Sequence, residues 1–286
     1  MIQWRLFVHY VICSNLFISA IATIMSYGAN NLLDLHLNST YFLFVFFATL
    51  SSYSLHWYFT EIKKETVSIE LNQFRNKYTI NNRKLLFIQF LIASLVSLYC
   101  MWEQQEIIIY VLPAIVATLI YSAPKFPIKA LKNLEGKALA KTFYLATVWI
   151  YITNIVPILL SGLQWNIEII IYLLANFTFL YVICLLFDYR DQHKDQIKYI
   201  LIDTNKHFNK IIFALSCIFI LLSSTLIYLE FSLAIILGLF FTYAFLLLTL
   251  TKSTQTKSDY WFYFVLDGLM ALPSLLGMLF FILFNK

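Results

Sequence analysis

Three carboxylates stand together in the stretch FDYRDQHKD, Phe187 to Asp195. Asp188, Asp191 and Asp195 are spaced i, i+3 and i+7, which on a helix gathers them within an arc of roughly 60°. The apolar run IEIIIYLLANFTFLYVICLLF leads directly into them, so they fall at the C-terminal end of the helix it predicts. There the macrodipole is negative and disfavours each acid by about 0.3–1 kcal/mol. Repelling acids at the wrong helix end point to a bound cation. Clustered carboxylates suit Mg²⁺, which is usually held by one or two carboxylates plus substrate phosphates. The plainer alternative is a solvated charged segment after an apolar helix, with Arg190 and Lys194 as neighbours.

The elements that position this cluster are membrane spans. The chain has 286 residues, of which 61% are hydrophobic and 12% charged. Soluble domains are nearer half apolar and a quarter charged, so this is a polytopic, all-α membrane protein. Runs of bilayer length occur at about 6–27, 40–59, 85–102, 106–123, 140–161, 167–187, 208–229, 231–250 and 261–284. Nine spans are therefore expected, in one domain over 1–286. The apolar part of the first run exceeds the usual 7–15 residues of a cleaved signal, so it is read as an uncleaved span.

With nine spans, 19 of the 20 Lys and Arg residues fall on one side, which the positive-inside rule makes the cytoplasm. Only Lys286 lies opposite. The N-terminus is then cytoplasmic and the C-terminus is not. The net charge of +5 is accordingly a topology signal and not a nucleic-acid signal. The four cysteines, Cys13, Cys100, Cys184 and Cys217, sit in apolar runs without metal-ligand spacing. They are expected to be buried small apolar residues. The long loops, which carry function more often than short ones, are all cytoplasmic. They follow spans two, four and six, so a site built from them opens to the cytoplasm.

Nine helices with an acidic motif after the sixth resemble the UbiA-type intramembrane prenyltransferase superfamily. FDYRDQHKD is similar to that family's second aspartate motif, NDxxDxxxD, with Phe187 in place of Asn and Asp188, Asp191 and Asp195 matching. Tyr121-Ser-Ala-Pro-Lys125 resembles its Tyr and basic residue after helix four. The resemblance covers nearly the whole chain. It implies transfer of a polyprenyl group from its diphosphate to a lipid-soluble acceptor, often aromatic. It also implies Mg²⁺ bridging diphosphate and acids, with Asp191, Asp195 and Lys125 catalytic and Tyr121 and Lys125 binding substrate.

The first motif, NxxxDxxxD at the end of helix two, departs from the pattern. The chain reads YSLHWYFTEIKKE from Tyr53 to Glu65, without Asp. If Ser54 stands for the Asn, the acidic positions are Tyr58 and Ile62 and the motif is lost. If Trp57 does, Glu61 and Glu65 fill them as metal ligands; otherwise they are ordinary surface acids. His56 is a candidate polar residue at the pocket mouth. Asp267 lies inside span nine, where an acid is costly unless it is paired or faces a cavity, so it is a candidate pocket residue. Asn154 and Asn176, also in mid-span, are explained equally well by interhelical hydrogen bonds. Two other functions stay open. One is a non-catalytic family member that binds an isoprenoid or quinone. The other is a transporter, disfavoured because most acids lie at helix ends and not along a path across the membrane.

Overall fold

The computed structural model describes residues 2–60, 74–122, 138–191, 205–250 and 259–284. Among them every regular element is helical. In chain order these are α1 (Ile2–Cys13), α2 (Leu16–Leu32), α3 (Ser39–Phe59), α4 (Phe74–Asn81), α5 (Arg83–Glu103) and α6 (Glu106–Ser122). There follow α7 (Ala138–Ile150), a π-helical turn (Tyr151–Ile155), α8 (Val156–Ser161), α9 (Ile167–Asp191), α10 (Asn205–Tyr228) and α11 (Leu233–Leu250). The last span is a second π turn (Trp261–Leu266), α12 (Asp267–Met270) and α13 (Leu272–Phe284).

Six helices are long and apolar enough to cross a membrane, and eight result if two bent pairs each count once. The chain is thus an integral, multi-pass helical membrane protein. Of the nine expected spans, the remaining one falls on α6, which has 17 residues. Two expected spans are not straight. The first breaks between α1 and α2 with a bend of 68°, and the last bends by 44° before α13. The second break has a local cause. Pro273 has no N–H to give and its ring excludes the preceding turn, so a new helix starts beside it.

The helices close on themselves. Each member of the series α5, α3, α2, α13, α11, α10, α9, α7, α6 packs against the next, and α6 returns to α5. Contacts of α2 with the first π turn, and of α12 with α2 and α9, fill the middle. Helix α9 is the most enclosed, with Val182, Ile183, Cys184, Leu185 and Leu186 all buried in succession. A helix surrounded on every side must be apolar all round, which is why its sequence is a nearly unbroken apolar run. By contrast α5 and α10 turn Leu95, Tyr99, Phe213 and Leu221 outward, where lipid is the solvent. Cys13, Cys100 and Cys184 are buried as expected, but Cys217 is exposed on that outward side of α10.

Ends and mid-span polar groups are satisfied locally. Asn38 caps α3 by accepting from the Thr40 N–H at 3.0 Å, and the Asn166 side chain accepts from the Ile169 N–H at 2.9 Å. Asn154 accepts from the Tyr172 hydroxyl at 3.3 Å, and Asn176 donates to the Tyr172 carbonyl at 3.0 Å. The Tyr41 hydroxyl donates to the Ile152 carbonyl in the first π turn. Asn154 therefore makes an interhelical hydrogen bond, whereas Asn176 bonds back to its own helix.

The α11–α13 contact needs glycine. A Cβ on Gly238 would lie 2.7 Å from the backbone nitrogen of Gly277 and 3.0 Å from the Pro273 carbonyl oxygen. Backbone cannot swing aside as a side chain can. Gly238→Ala is expected to force the helices apart and cost about 1–3 kcal/mol, read as a lower unfolding temperature in detergent. Gly162→Ala is a useful comparison, because a Cβ there meets nothing within 4 Å and pays only for its left-handed φ of 69°.

Candidate functional site

Five segments converge where α9 ends: the α1–α2 elbow, the last turns of α3, helix α4, residues Phe187 to Arg190, and the start of the last span. At their centre are two buried arginines, Arg75 on α4 and Arg190 on α9, with relative exposures of 4% and 5%. Removing a guanidinium from water costs several kcal/mol unless paired and hydrogen-bonded groups offset it.

Arg75 reaches back to the elbow. Its Nη1 donates to the Ile12 carbonyl at 2.9 Å, which also accepts the Asn15 N–H at 3.2 Å. Its Nη2 donates to Asn15 Oδ1. Asn15 sits at φ 63°, a left-handed conformation that Asn tolerates better than most residues. Its Nδ2 donates onward to Ser54 Oγ at 3.3 Å. The Arg75 guanidinium carbon lies 4.2 Å from the Trp57 ring centre and 4.8 Å from that of Tyr263, within cation–π range. Beside it on α4, burial pushes the Tyr78 phenol up to about 12.

Arg190 approaches the same ring. Its carbon lies 4.9 Å from the centre of Tyr263 and 4.6 Å from that of Phe262, and its Nη2 donates to the Tyr263 hydroxyl at 3.1 Å. Asp259, 5% exposed, stands between the arginines. Its Oδ2 accepts from the Arg75 backbone N–H at 3.2 Å, and its Oδ1 is 4.0 Å from Arg190 Nη1.

Asp267 heads α12 and lies within the electrostatic reach of both guanidiniums. Helix α12, which Asp267 heads, packs against α9, which carries Asp188. Helix α9 continues through Asp191, so positions 188 and 191 lie on successive turns, as the spacing predicts. The Asp191 side chain, Asp195, Lys125, Glu61 and Glu65 lie outside the described residues. Tyr121 is placed on α6 by its backbone alone. His56, half-buried, sits edge-on to Trp57 with ring centres 6.1 Å apart. Among the described residues, the site joins two guanidiniums to the Asp259 carboxylate, with Asp267 in their electrostatic reach, and is walled by Trp57, Phe187, Phe262 and Tyr263.

No family model, no curated protein and no solved structure matches this chain.

Sequence reasoning missed Asn15, Arg75, Asp259 and Tyr263, and it treated Arg190 as a neighbour of the acids. One signal was present. Only four of the 20 basic residues are arginine. Lysine serves as well for orienting a chain in the membrane, whereas a planar five-donor fork suits buried pairing.

Proposed function

We propose that the protein is an intramembrane prenyltransferase, a divergent member of the UbiA-type superfamily. It moves a polyprenyl group from its diphosphate to a hydrophobic acceptor. The observation that carries this reading is the meeting of two buried guanidiniums with the Asp259 carboxylate inside an aromatic wall, at the end of α9 that also bears Asp188. Acids and cations side by side match a ligand that arrives as a metal–diphosphate pair.

In the transfer, the allylic C–O bond breaks and its electron pair leaves with the diphosphate. The acceptor bonds to the freed carbon and gives up a proton. The donor chemistry at the end of α9 fits Mg²⁺, because carboxylate oxygens are its preferred protein ligands. Asp188, Asp191 and Asp195 would hold it, with Glu61 or Glu65 from the other side. Bound Mg²⁺ neutralises charge developing on the leaving group. Lys125 and Tyr121 grip the diphosphate end, and His56 lines the mouth. Aromatic faces shield the allylic cation from water and attract it.

On this reading α6 is a span and each bent pair counts once, which gives nine spans, a cytoplasmic N-terminus and a C-terminus opposite. A reporter active only in the cytoplasm and fused after Lys286 is expected to stay silent; activity there would refute the arrangement.

A second reading is a non-catalytic isoprenoid-binding protein. It is favoured by the register in which Ser54, tied to Asn15, stands for the motif's Asn, because Tyr58 and Ile62 then occupy the acidic positions. Purified protein, Mg²⁺ and labelled polyprenyl diphosphates of several lengths separate the readings. Diphosphate release supports transfer. Binding without release supports the second reading, and neither one sinks both.

A further inference from the structure

We propose that Asp259 is a positioning residue, a brace that holds the two sides of the site at a fixed separation. The inference rests on the transferase reading for its effect on activity, but its geometry stands apart from that reading. Asp259 joins segments remote in the chain, because Arg75 is 184 residues before it and Arg190 is 69 positions before it in the sequence.

Its two oxygens do different work. Oδ2 accepts the backbone N–H of Arg75, the second residue of α4. That N–H is one of the first four in the helix, which have no partner inside it. Asp259 thus caps α4 from the far end of the chain and places a negative charge where the helix dipole favours one. Oδ1 faces the Arg190 guanidinium, two residues past Asp188 in the last turn of α9.

The surroundings restrict the brace further. Tyr263, four residues on, presents its ring to both guanidiniums, and its hydroxyl oxygen accepts from Arg190. It lies in the π turn Trp261–Leu266, and such turns occur disproportionately at functional sites. Asp259 and Tyr263 therefore tie α4, which follows the segment bearing Glu61 and Glu65, to the helix end bearing Asp188 and Asp191. These contacts hold Arg75 and Arg190, and with Arg190 the end of α9, at one separation.

Asp259→Asn separates the two roles. The amide oxygen still accepts from the Arg75 N–H, but the charge facing Arg190 is gone. Two measurements on the full chain in nanodiscs test the brace. The first is the Mg²⁺ concentration for half-maximal diphosphate release, expected to rise about 10-fold or more and to return toward the parent value in Asp259→Glu. The second is the spin-label distance between Asn81 and Lys210, in a Cys217→Ser background. Lys210 reports on α9 because Phe208 stacks on Tyr189 with ring centres 4.3 Å apart. The parent chain is expected to give one narrow distribution and Asp259→Asn a broadened one. An unchanged distribution in Asp259→Asn overturns the brace, whatever the activity. A broadened distribution in a chain that releases no diphosphate keeps the brace and overturns the transferase reading. Release with a broadened distribution but an unchanged Mg²⁺ requirement overturns the positioning role.

Discussion

Arg75→Ala is expected to destabilise the protein by about 3 kcal/mol or more, since a hydrogen bond to a charged group is worth about 1.5–3 kcal/mol and the guanidinium donates to both Ile12 and Asn15. The loss has several sources. The Asn15 side-chain oxygen loses its donor, the Ile12 carbonyl keeps only the Asn15 N–H, and Trp57 and Tyr263 lose the cation between them. Asp259 keeps the backbone N–H at position 75, so the loss falls mainly on the elbow and the aromatic wall. Because Asn15 is held in a left-handed conformation at a 68° elbow, the α1–α2 break loses its main tether as well. Arg75→Lys is expected to recover only part of the loss. One ammonium retains the charge but cannot fork to two acceptors while lying flat against a ring. Thermal unfolding in detergent reads the effect. An Arg75→Ala protein that melts with the parent would show the network to be incidental to the fold.

Asp191→Asn is expected to reduce diphosphate release by about 100-fold, at the upper end of the range for weakened metal sites, with little change in unfolding temperature. Asn is nearly isosteric with Asp, so the substitution changes charge and not volume. What is lost is a negative oxygen beside Asp188, and with it the attraction for a divalent cation. Removing an acid from a helix C-terminus is itself mildly stabilising. Stability and activity should therefore move apart, which a merely structural carboxylate would not produce. Lys252→Ala, far along the chain in another loop, controls for general effects of charge. Equal release from parent and Asp191→Asn would end the metal-site assignment.

The spans and the acidic motif were legible because each is written in contiguous residues. Apolar runs of bilayer length announce helices, and the i, i+3 spacing of Asp188 and Asp191 survives as successive turns of α9. The elbow at Ser14 and Asn15 was not legible, because an apolar run continues through it. The bend is made by a long-range contact from Arg75, and nothing within residues 6–27 records that contact. The same reason hid the centre of the site. Arg75 and Arg190 contribute to the charge bias that orients the chain, so a tally by side of the membrane accounted for them completely. Their burial depends on Asp259 and Tyr263, and that pairing appears only once the last span lies beside α9. Asp267 was found because an acid inside an apolar run is conspicuous by itself. Asp259 was not, since an acid just before a span looks like an ordinary boundary residue.

The closing of the helix series has a consequence for how the protein is made. Helix α13 lies between α2 and α11, so segments far apart in the order of synthesis share a boundary. Asp259, which accepts from the Arg75 backbone N–H, and Asp267 both belong to the last described span. During synthesis the guanidinium of Arg75 therefore stays at the membrane surface, hydrated, until that span has been inserted. The elbow that it ties down waits with it. Completion of the last span is thus a checkpoint in biogenesis: a chain stopped short of it retains an unburied cation and a loose first span, both of which a membrane quality-control protease can recognise.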